Sequence, residues 1–151
     1  MGIEQEVHQV KFTNEYQKAM INLLYTYGWA IERIKSIVTC EGITHQQFNI
    51  LRILRGSFPE PLSTLQIRER MIDKMSDTSR IVDRLISKGL VKKTTCKKDR
   101  RLVDVIISEK GKKLLKKLDA RQHAFDAIME NLTEKEALAI NKLLDKLRNC
   151  E

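Results

Sequence analysis

The feature that most constrains the fold of this chain is a change of hydrophobic period between Ser76 and Gly111. Four apolar residues first follow i, i+1, i+4, i+5 spacing, which predicts a short amphipathic helix with one narrow buried stripe: Ile81, Val82, Leu85 and Ile86. Ser76 is the predicted N-cap of this helix, and Gly89 is predicted to adopt the left-handed conformation that often follows a helix end.

After Gly89 the period becomes that of a β-strand. Val103, Val105 and Ile107 share one face and Asp104 lies on the other, which predicts a half-buried strand. The segment 91–96 is its expected partner in a two-stranded hairpin. The turn between them holds four cations and one carboxylate, namely Lys97, Lys98, Asp99, Arg100 and Arg101. The cations of such an exposed cluster repel one another, and a polyanion such as a phosphate backbone would relieve this repulsion.

The positive charge is confined to this part of the chain. Residues 88–117 contain twelve lysines and arginines and three acids, a net charge of +9, whereas the whole chain carries +8. A solvated lysine-rich surface would give the same count. The binding interpretation is favoured because the charges flank a helix whose polar side carries short hydrogen-bonding groups and guanidinium groups, suited to bases and phosphates. This side is expected to present Thr78, Ser79, Arg80, Asp83, Arg84 and Ser87.

The rest of the chain is predicted to be helical. Apolar residues at helical spacing predict one long helix over about 13–40, broad enough in its apolar face to suggest a subunit interface. Capping boxes begin further helices at Thr44 and Ser63, and the helix after Ser63, ending near Met71, forms a helix-turn-helix with the next. Ser108 begins a helix that extends to about residue 130, and a capping box at Thr133 begins the last. The expected order is four helices, two strands and two helices.

Five short motifs, in this order and at these separations, resemble the MarR (multiple antibiotic resistance regulator) family of winged-helix transcription factors over nearly the full length. They are Ile43–Phe48, Ser79–Leu85, Lys88–Val91, Asp99–Arg101 and Ser108–Gly111. The resemblance implies a mainly α fold with a small β-wing, in a single domain of residues 1–151. Residues 44–107 would form the winged helix-turn-helix lobe, and residues 1–41 and 108–151 the helices that clamp an obligate homodimer.

The resemblance also implies that the chain binds a pseudo-palindromic site in double-stranded DNA, most often as a repressor. The recognition helix would enter the major groove with Ser76, Asp77, Thr78, Ser79, Arg80 and Arg84. The wing would reach the minor groove with Lys97, Lys98, Asp99, Arg100 and Arg101, the Asp99 carboxylate orienting Arg101. Asp77 replaces a residue that is usually neutral; its carboxylate either favours the helix dipole or accepts a hydrogen bond from cytosine.

The family resemblance further implies release from DNA by a small aromatic or amphipathic effector. Tyr25, Trp29, Arg33 and Phe58 are the candidate pocket residues, although Tyr25 and Trp29 would serve equally as core or interface aromatics. Two other functions remain open: a thiol-based redox-responsive regulator using a cysteine such as Cys96, and a winged helix for protein–protein contact.

Several classes are not expected. The three histidines lie far apart with no nucleophile motif or glycine-rich phosphate loop, so no enzyme is expected. Three widely spaced cysteines with no CxxC argue against a disulfide framework or a metal site, and no cofactor is expected. The absence of an apolar run of about 18 residues or of a signal peptide predicts a cytoplasmic protein without a membrane partner.

Overall fold

The computed structural model describes residues 2–8, 11–95 and 103–149. Along the chain, the elements are α1 (Ile3–Glu6), α2 (Glu15–Thr39), α3 (His45–Ser57), β1 (Leu62–Ser63), α4 (Thr64–Arg70), α5 (Thr78–Ser87), β2 (Val91–Thr95), β3 (Val103–Ile107), α6 (Glu109–Asp119), α7 (Gln122–Asp126), a 3-10 turn (Ala127–Met129) and α8 (Glu134–Arg148). The prediction of a mainly helical chain with a small β-hairpin is therefore confirmed. None of the helices in the described ranges is long and apolar enough to cross a membrane.

The capping signals read from the sequence set the ends of these helices. Thr44, Ser63 and Thr133 each accept a hydrogen bond from the backbone N–H three residues later, and each completes the predicted capping box. Ser108 caps α6 in the same way by accepting from the backbone N–H of Gly111 at 3.0 Å. Gly89 has φ of +70°, the predicted left-handed conformation that ends α5.

The core lies where α3, α4, α5, α6 and the sheet meet. Seven large side chains of these helices have no exposed surface or almost none: Ile50, Leu51, Leu54, Ile67, Leu85, Leu115 and Leu118. Burial of each such side chain favours folding by about 1.5–3 kcal/mol before conformational entropy is counted. The core therefore fixes the position of α5 with respect to α3 and α6.

The sheet has three strands in the order β1-β3-β2, all antiparallel. Val91 faces Ile107 and Lys93 faces Val105, as a hairpin requires. The sequence interpretation included only these two strands. The third, β1, pairs Leu62 with Val105, and its two residues are too few to show an alternating pattern.

Two further expectations about the helices were wrong. Asp77, not Ser76, is the N-cap of α5. The helix expected from Ser108 to about residue 130 ends at Asp119 and is followed by α7 and the 3-10 turn. At the break, Arg121 leaves helical geometry with φ of −105° and ψ of 21°, and its guanidinium contacts Glu41 and Cys40 at the end of α2. The break is associated with contacts to residues that are distant in sequence. No glycine or proline marks it locally, so the periodicity alone did not reveal it.

Candidate nucleic-acid interface

Helix α5, the predicted recognition helix, is oriented by the side that it buries. Val82 and Leu85 lie in the core, and Ile81 and Ile86 flank them half-buried, as the stripe predicted. Thr78 is also buried, with 4% of its surface exposed. Its Oγ1 lies 3.4 Å from the Met71 sulfur and donates to the Ser76 carbonyl. The expectation that Thr78 shares the polar face was wrong, because the first turn of α5 packs against the end of α4.

The approach to α5 is held by two carboxylates. Asp73 Oδ2 accepts a hydrogen bond from the Ser76 hydroxyl at 2.6 Å, and Oδ1 accepts from the Met75 backbone N–H at 3.1 Å. The Ser76 hydrogen bond is the main reason that the pKa of the Asp73 carboxyl is lowered. Asp77 Oδ1 accepts from the Arg80 backbone N–H at 3.1 Å. Asp77 is therefore the N-cap of α5, where its carboxylate also favours the helix dipole. The other interpretation, a contact with cytosine, stays a prediction.

The outer face of α5 presents Ser79, Arg80 and Arg84, all exposed. In the part of the chain that the structure describes, neither guanidinium forms an ion pair. Asp83, on the same side, lies 3.9 Å from the Lys93 ammonium of β2. The result is a helix edge with two guanidinium groups and a hydroxyl directed to solvent beside the hairpin.

The hairpin is anchored by its apolar face, and its tip falls outside the described residues. Leu90, Val91, Val105 and Ile107 are buried. Lys92 and Lys93 are exposed on β2. The predicted wing-tip residues Lys97, Lys98, Asp99, Arg100 and Arg101 are not among those that the structure describes, so their role remains a prediction.

Several cations of the basic segment contact other parts of the chain. The Lys88 ammonium donates to the Gly42 carbonyl at 2.6 Å, and that of Lys110 to the Lys88 carbonyl at 2.8 Å. Lys112 pairs with Glu109 at 2.9 Å, and Lys117 lies 3.7 Å from a Glu41 oxygen. The charge count from the sequence treated the twelve cations of residues 88–117 as one basic surface. In the structure, some of these cations bond to carbonyl or carboxylate oxygens of the protein itself.

Other cations of the lobe were missed by the sequence interpretation. Arg68 and Arg70 are exposed on the last turn of α4, and Lys74 is exposed on the turn that follows. Arg68 Nε donates to the Lys74 carbonyl at 3.4 Å, which ties the turn to α4. These cations could have been predicted from their position in the first helix of the helix-turn-helix and in the turn after it. They were missed because the charge count began at Lys88.

The candidate effector residues lie in two different environments. The Arg33 guanidinium stacks 3.8 Å from the centre of the Trp29 ring on α2. The Tyr25 hydroxyl donates to Glu6 at 2.7 Å, and this hydrogen bond raises the pKa of Tyr25. Phe58 instead lies under the Lys112 ammonium, 3.3 Å from the ring centre.

A cavity of about 120 Å³ lies elsewhere, between α2, α3, the turn after α4, and α7. Its walls are mostly apolar, and burial lowers the pKa of His45 at its edge. None of the four predicted pocket residues lines it. Those that do are Tyr27, Ile31, Ile34, His45, Gln46, Phe48, Asn49, Arg52, Met71, Ile72, Asp73 and Phe125.

For the alternative of a thiol-based redox regulator, one of the three cysteines lies in the described ranges. Cys40 is exposed at the end of α2, a free thiol that donates to the Ile37 carbonyl at 2.8 Å. Cys96 and Cys150 lie outside the residues that the structure describes. No contact of Cys40 identifies an oxidant or a resolving partner.

Comparison with known proteins identifies what this arrangement is similar to. A family model described as MarR family matches residues 43–103. The HTH-type transcriptional repressor MdtR of Bacillus subtilis (strain 168) is 33% identical over 110 residues, covering 71% of this chain and 68% of that protein.

Solved structures extend the similarity to the whole fold. A MarR transcription factor from Planctomyces limnophilus is 32% identical with a TM-score of 0.67, covering 89% of this chain and 98% of that one. A mutant MarR from E. coli, solved in complex with operator DNA, is 21% identical with a TM-score of 0.81, covering 91% of this chain and 99% of that one. These similarities confirm the predicted winged helix-turn-helix.

Proposed function

The chain belongs to the MarR family of transcriptional regulators, and we propose on this premise that it is a repressor that binds operator DNA as a homodimer. The observation that carries the proposal is the outer edge of α5, which presents Arg80 and Arg84 to solvent beside a basic hairpin. The B. subtilis relative is a repressor, and the E. coli protein of the same fold was solved on operator DNA.

In this proposal α5 enters the major groove. Arg80 and Arg84 are the residues expected to reach guanine edges or phosphates, since a guanidinium donates two parallel hydrogen bonds to either. Ser79 is small enough to let the helix approach the bases. The wing is then expected to reach the neighbouring minor groove, where an arginine such as Arg101 suits the strong negative potential of a narrow groove. The family resemblance implies that Asp99 orients this arginine.

A second copy of the chain is expected to cover the apolar surface of the terminal helices. On α2, Tyr16, Met20 and Leu24 are 86%, 64% and 64% exposed, and on α8, Leu143 and Leu147 are 66% and 62% exposed. Apolar exposure on this scale marks an interaction surface. A two-fold dimer built from residues 1–41 and 108–151 would present two α5 helices to half-sites about one helical turn apart.

We place the effector in the cavity between α2 and α3. Its apolar wall, with Phe48 and Phe125 stacked 5.4 Å apart, suits a small aromatic or amphipathic molecule, and Arg52 at its edge suits an anionic group. The cavity adjoins Ile72 and Asp73, the turn before α5. A ligand there releases DNA only through different affinities for the free and DNA-bound conformations.

The test is selection of binding sites from a random DNA library by the purified full chain. We expect an inverted repeat, bound by two chains per duplex. Arg80→Ala should weaken binding to the selected duplex, whereas Lys135→Ala, an exposed cation at the start of α8, should leave it unchanged. Failure to enrich any sequence, or equal binding by the Arg80 variant, would contradict the proposal.

A further inference from the structure

The C-terminal end of α5 is held by the start of α6. The Gly89 carbonyl accepts a hydrogen bond from the Ser108 hydroxyl at 2.7 Å. The Lys88 carbonyl accepts from the Lys110 ammonium at 2.8 Å. The Lys88 carbonyl is one of those that a helix leaves unpaired at its end, and the Gly89 carbonyl follows it. The backbone of residues 88–89 is therefore fixed on one side.

The side chain of Lys88 makes a second connection in another direction. Its ammonium donates to the Gly42 carbonyl at 2.6 Å and to Gln47 Oε1 at 3.2 Å. Gln47 is 3% exposed, and the same oxygen also accepts from the Thr44 backbone N–H at 3.1 Å. Gly42 has φ of +71° and forms the turn between α2 and α3. Lys88 thus links the end of the recognition helix to the end of α2.

Helix α6 reaches the same turn. Glu41 is the neighbour of Gly42, and its side chain is 17% exposed. Its oxygens lie 3.7 Å from the Lys117 ammonium and 3.9 Å from the Arg121 guanidinium. The turn at residues 41–42 is therefore the point where α2, α5 and α6 are joined by polar contacts.

We propose that Lys88 is a positioning residue that fixes the angle between α5 and α2, rather than a cation that neutralises DNA phosphate. This inference rests on the proposed function. Because α2 carries the exposed apolar face assigned to the dimer, the angle between α5 and α2 sets the distance between the two recognition helices. Lys88 thereby determines which half-site spacing the dimer accepts.

The contrast is with Lys92 on β2 of the same basic segment, which is exposed as Lys88 is. The difference lies in the Gly42 and Gln47 oxygens that hold the Lys88 ammonium. A lysine on a phosphate releases counterions, so its removal makes the slope of log K against log[salt] less negative by about 0.9 per contact. A lysine whose ammonium stays hydrogen-bonded to oxygens of the protein leaves this slope unchanged. Salt dependence therefore separates the two roles even where both variants lose affinity.

The experiment compares Lys88→Met and Lys92→Met with the wild-type full chain. The probes are the duplex that the wild-type selects from a random library, the same duplex with its half-sites moved by one base pair, and a single half-site. For Lys88→Met we expect about tenfold weaker binding to the selected duplex, an unchanged salt slope, unchanged single half-site binding and reduced discrimination between spacings. Lys92→Met should reduce the slope by about 1.8 per dimer, one contact in each protomer, and keep the spacing preference.

The other outcomes overturn the inference. A reduced salt slope in Lys88→Met would make this lysine a phosphate contact. Equal losses on the single and the paired half-sites would mean that Lys88 supports the fold of the lobe, and wild-type affinity and spacing would mean that it has no role. If the wild-type chain selects no DNA, the proposed function itself fails, whereas the other outcomes leave it standing.

Discussion

Replacing Gly111 by alanine tests how the first turn of α6 meets the segment that follows α5. A Cβ atom at this position would lie 2.3 Å from the Leu90 carbonyl oxygen and 2.8 Å from Ile107 Cγ1. Real Cβ atoms essentially never come within 3.0 Å of such neighbours, so two backbone segments must separate. Excess volume in a packed core costs about 1–3 kcal/mol, part of which is offset by the better helix propensity of alanine.

With a net cost of about 1–2 kcal/mol after this offset, we expect Gly111→Ala to lower the melting temperature by about 2–8 °C, since each kcal/mol shifts a domain of this size by about 2–4 °C. Binding to the selected DNA should weaken as well, because the start of α6 holds the end of α5. The matched control is Gly56→Ala in α3, where nothing lies within 4 Å of the added Cβ. This variant should gain about 0.5–1 kcal/mol in free energy of unfolding. Thermal unfolding followed by circular dichroism measures both, and equal stability of the two variants would refute the reasoning.

Two further predictions concern the approach to α5. Asp77→Ala should lose the N-cap hydrogen bond from the Arg80 backbone N–H and lower the free energy of unfolding by about 1 kcal/mol. Asp77→Ser should keep both the stability and the DNA sequence that the wild type selects. A changed sequence preference for the serine variant would make the carboxylate a base contact. The pKa of Asp73 is lowered in the folded state, chiefly by the hydrogen bond from the Ser76 hydroxyl. The ionised carboxylate therefore stabilises the fold, fully so above the ordinary pKa of about 4. This stabilisation is lost as the pH falls through the lowered pKa of the folded state. The difference in melting temperature between wild type and Asp73→Ala should therefore be present at neutral pH and shrink in acid, and a difference that is constant with pH would contradict this role.

Local signals in the sequence predicted much of the fold. The capping boxes at Thr44, Ser63 and Thr133 depend on residues three apart, and the left-handed Gly89 depends on one residue without a Cβ. Such features need no knowledge of the rest of the chain. The long helix α2 was predicted by its periodicity for the same reason.

The errors arose where distant residues decide. Ser76 and Asp77 are both good caps, and Asp77 takes this role while the Ser76 hydroxyl donates to Asp73. The strand Leu62–Ser63 exists because β3 offers a free edge. Thr78 is buried because α4 ends beside it, which the polarity of a threonine does not reveal.

In the candidate site, the sequence showed where the basic residues lie but not which groups their side chains contact. The outward Arg80 and Arg84 follow from the helical period, since the buried stripe fixes the opposite face. The sequence count placed Lys88 in the basic segment, yet its ammonium donates to the carbonyl of Gly42, which lies 46 residues away in sequence. The cavity in which we place the effector also joins residues of α2, α3 and α7, so no single stretch of sequence could indicate it.

The salt dependence of binding to the selected duplex tests the central claim most directly. If two basic lobes neutralise phosphates of one duplex, with about 6–10 contacts in all, affinity should fall about 10³–10⁵-fold between 50 and 200 mM salt. Native mass spectrometry of the same sample should show two chains on each duplex. Binding that does not change with salt, or one chain per duplex, would contradict the account.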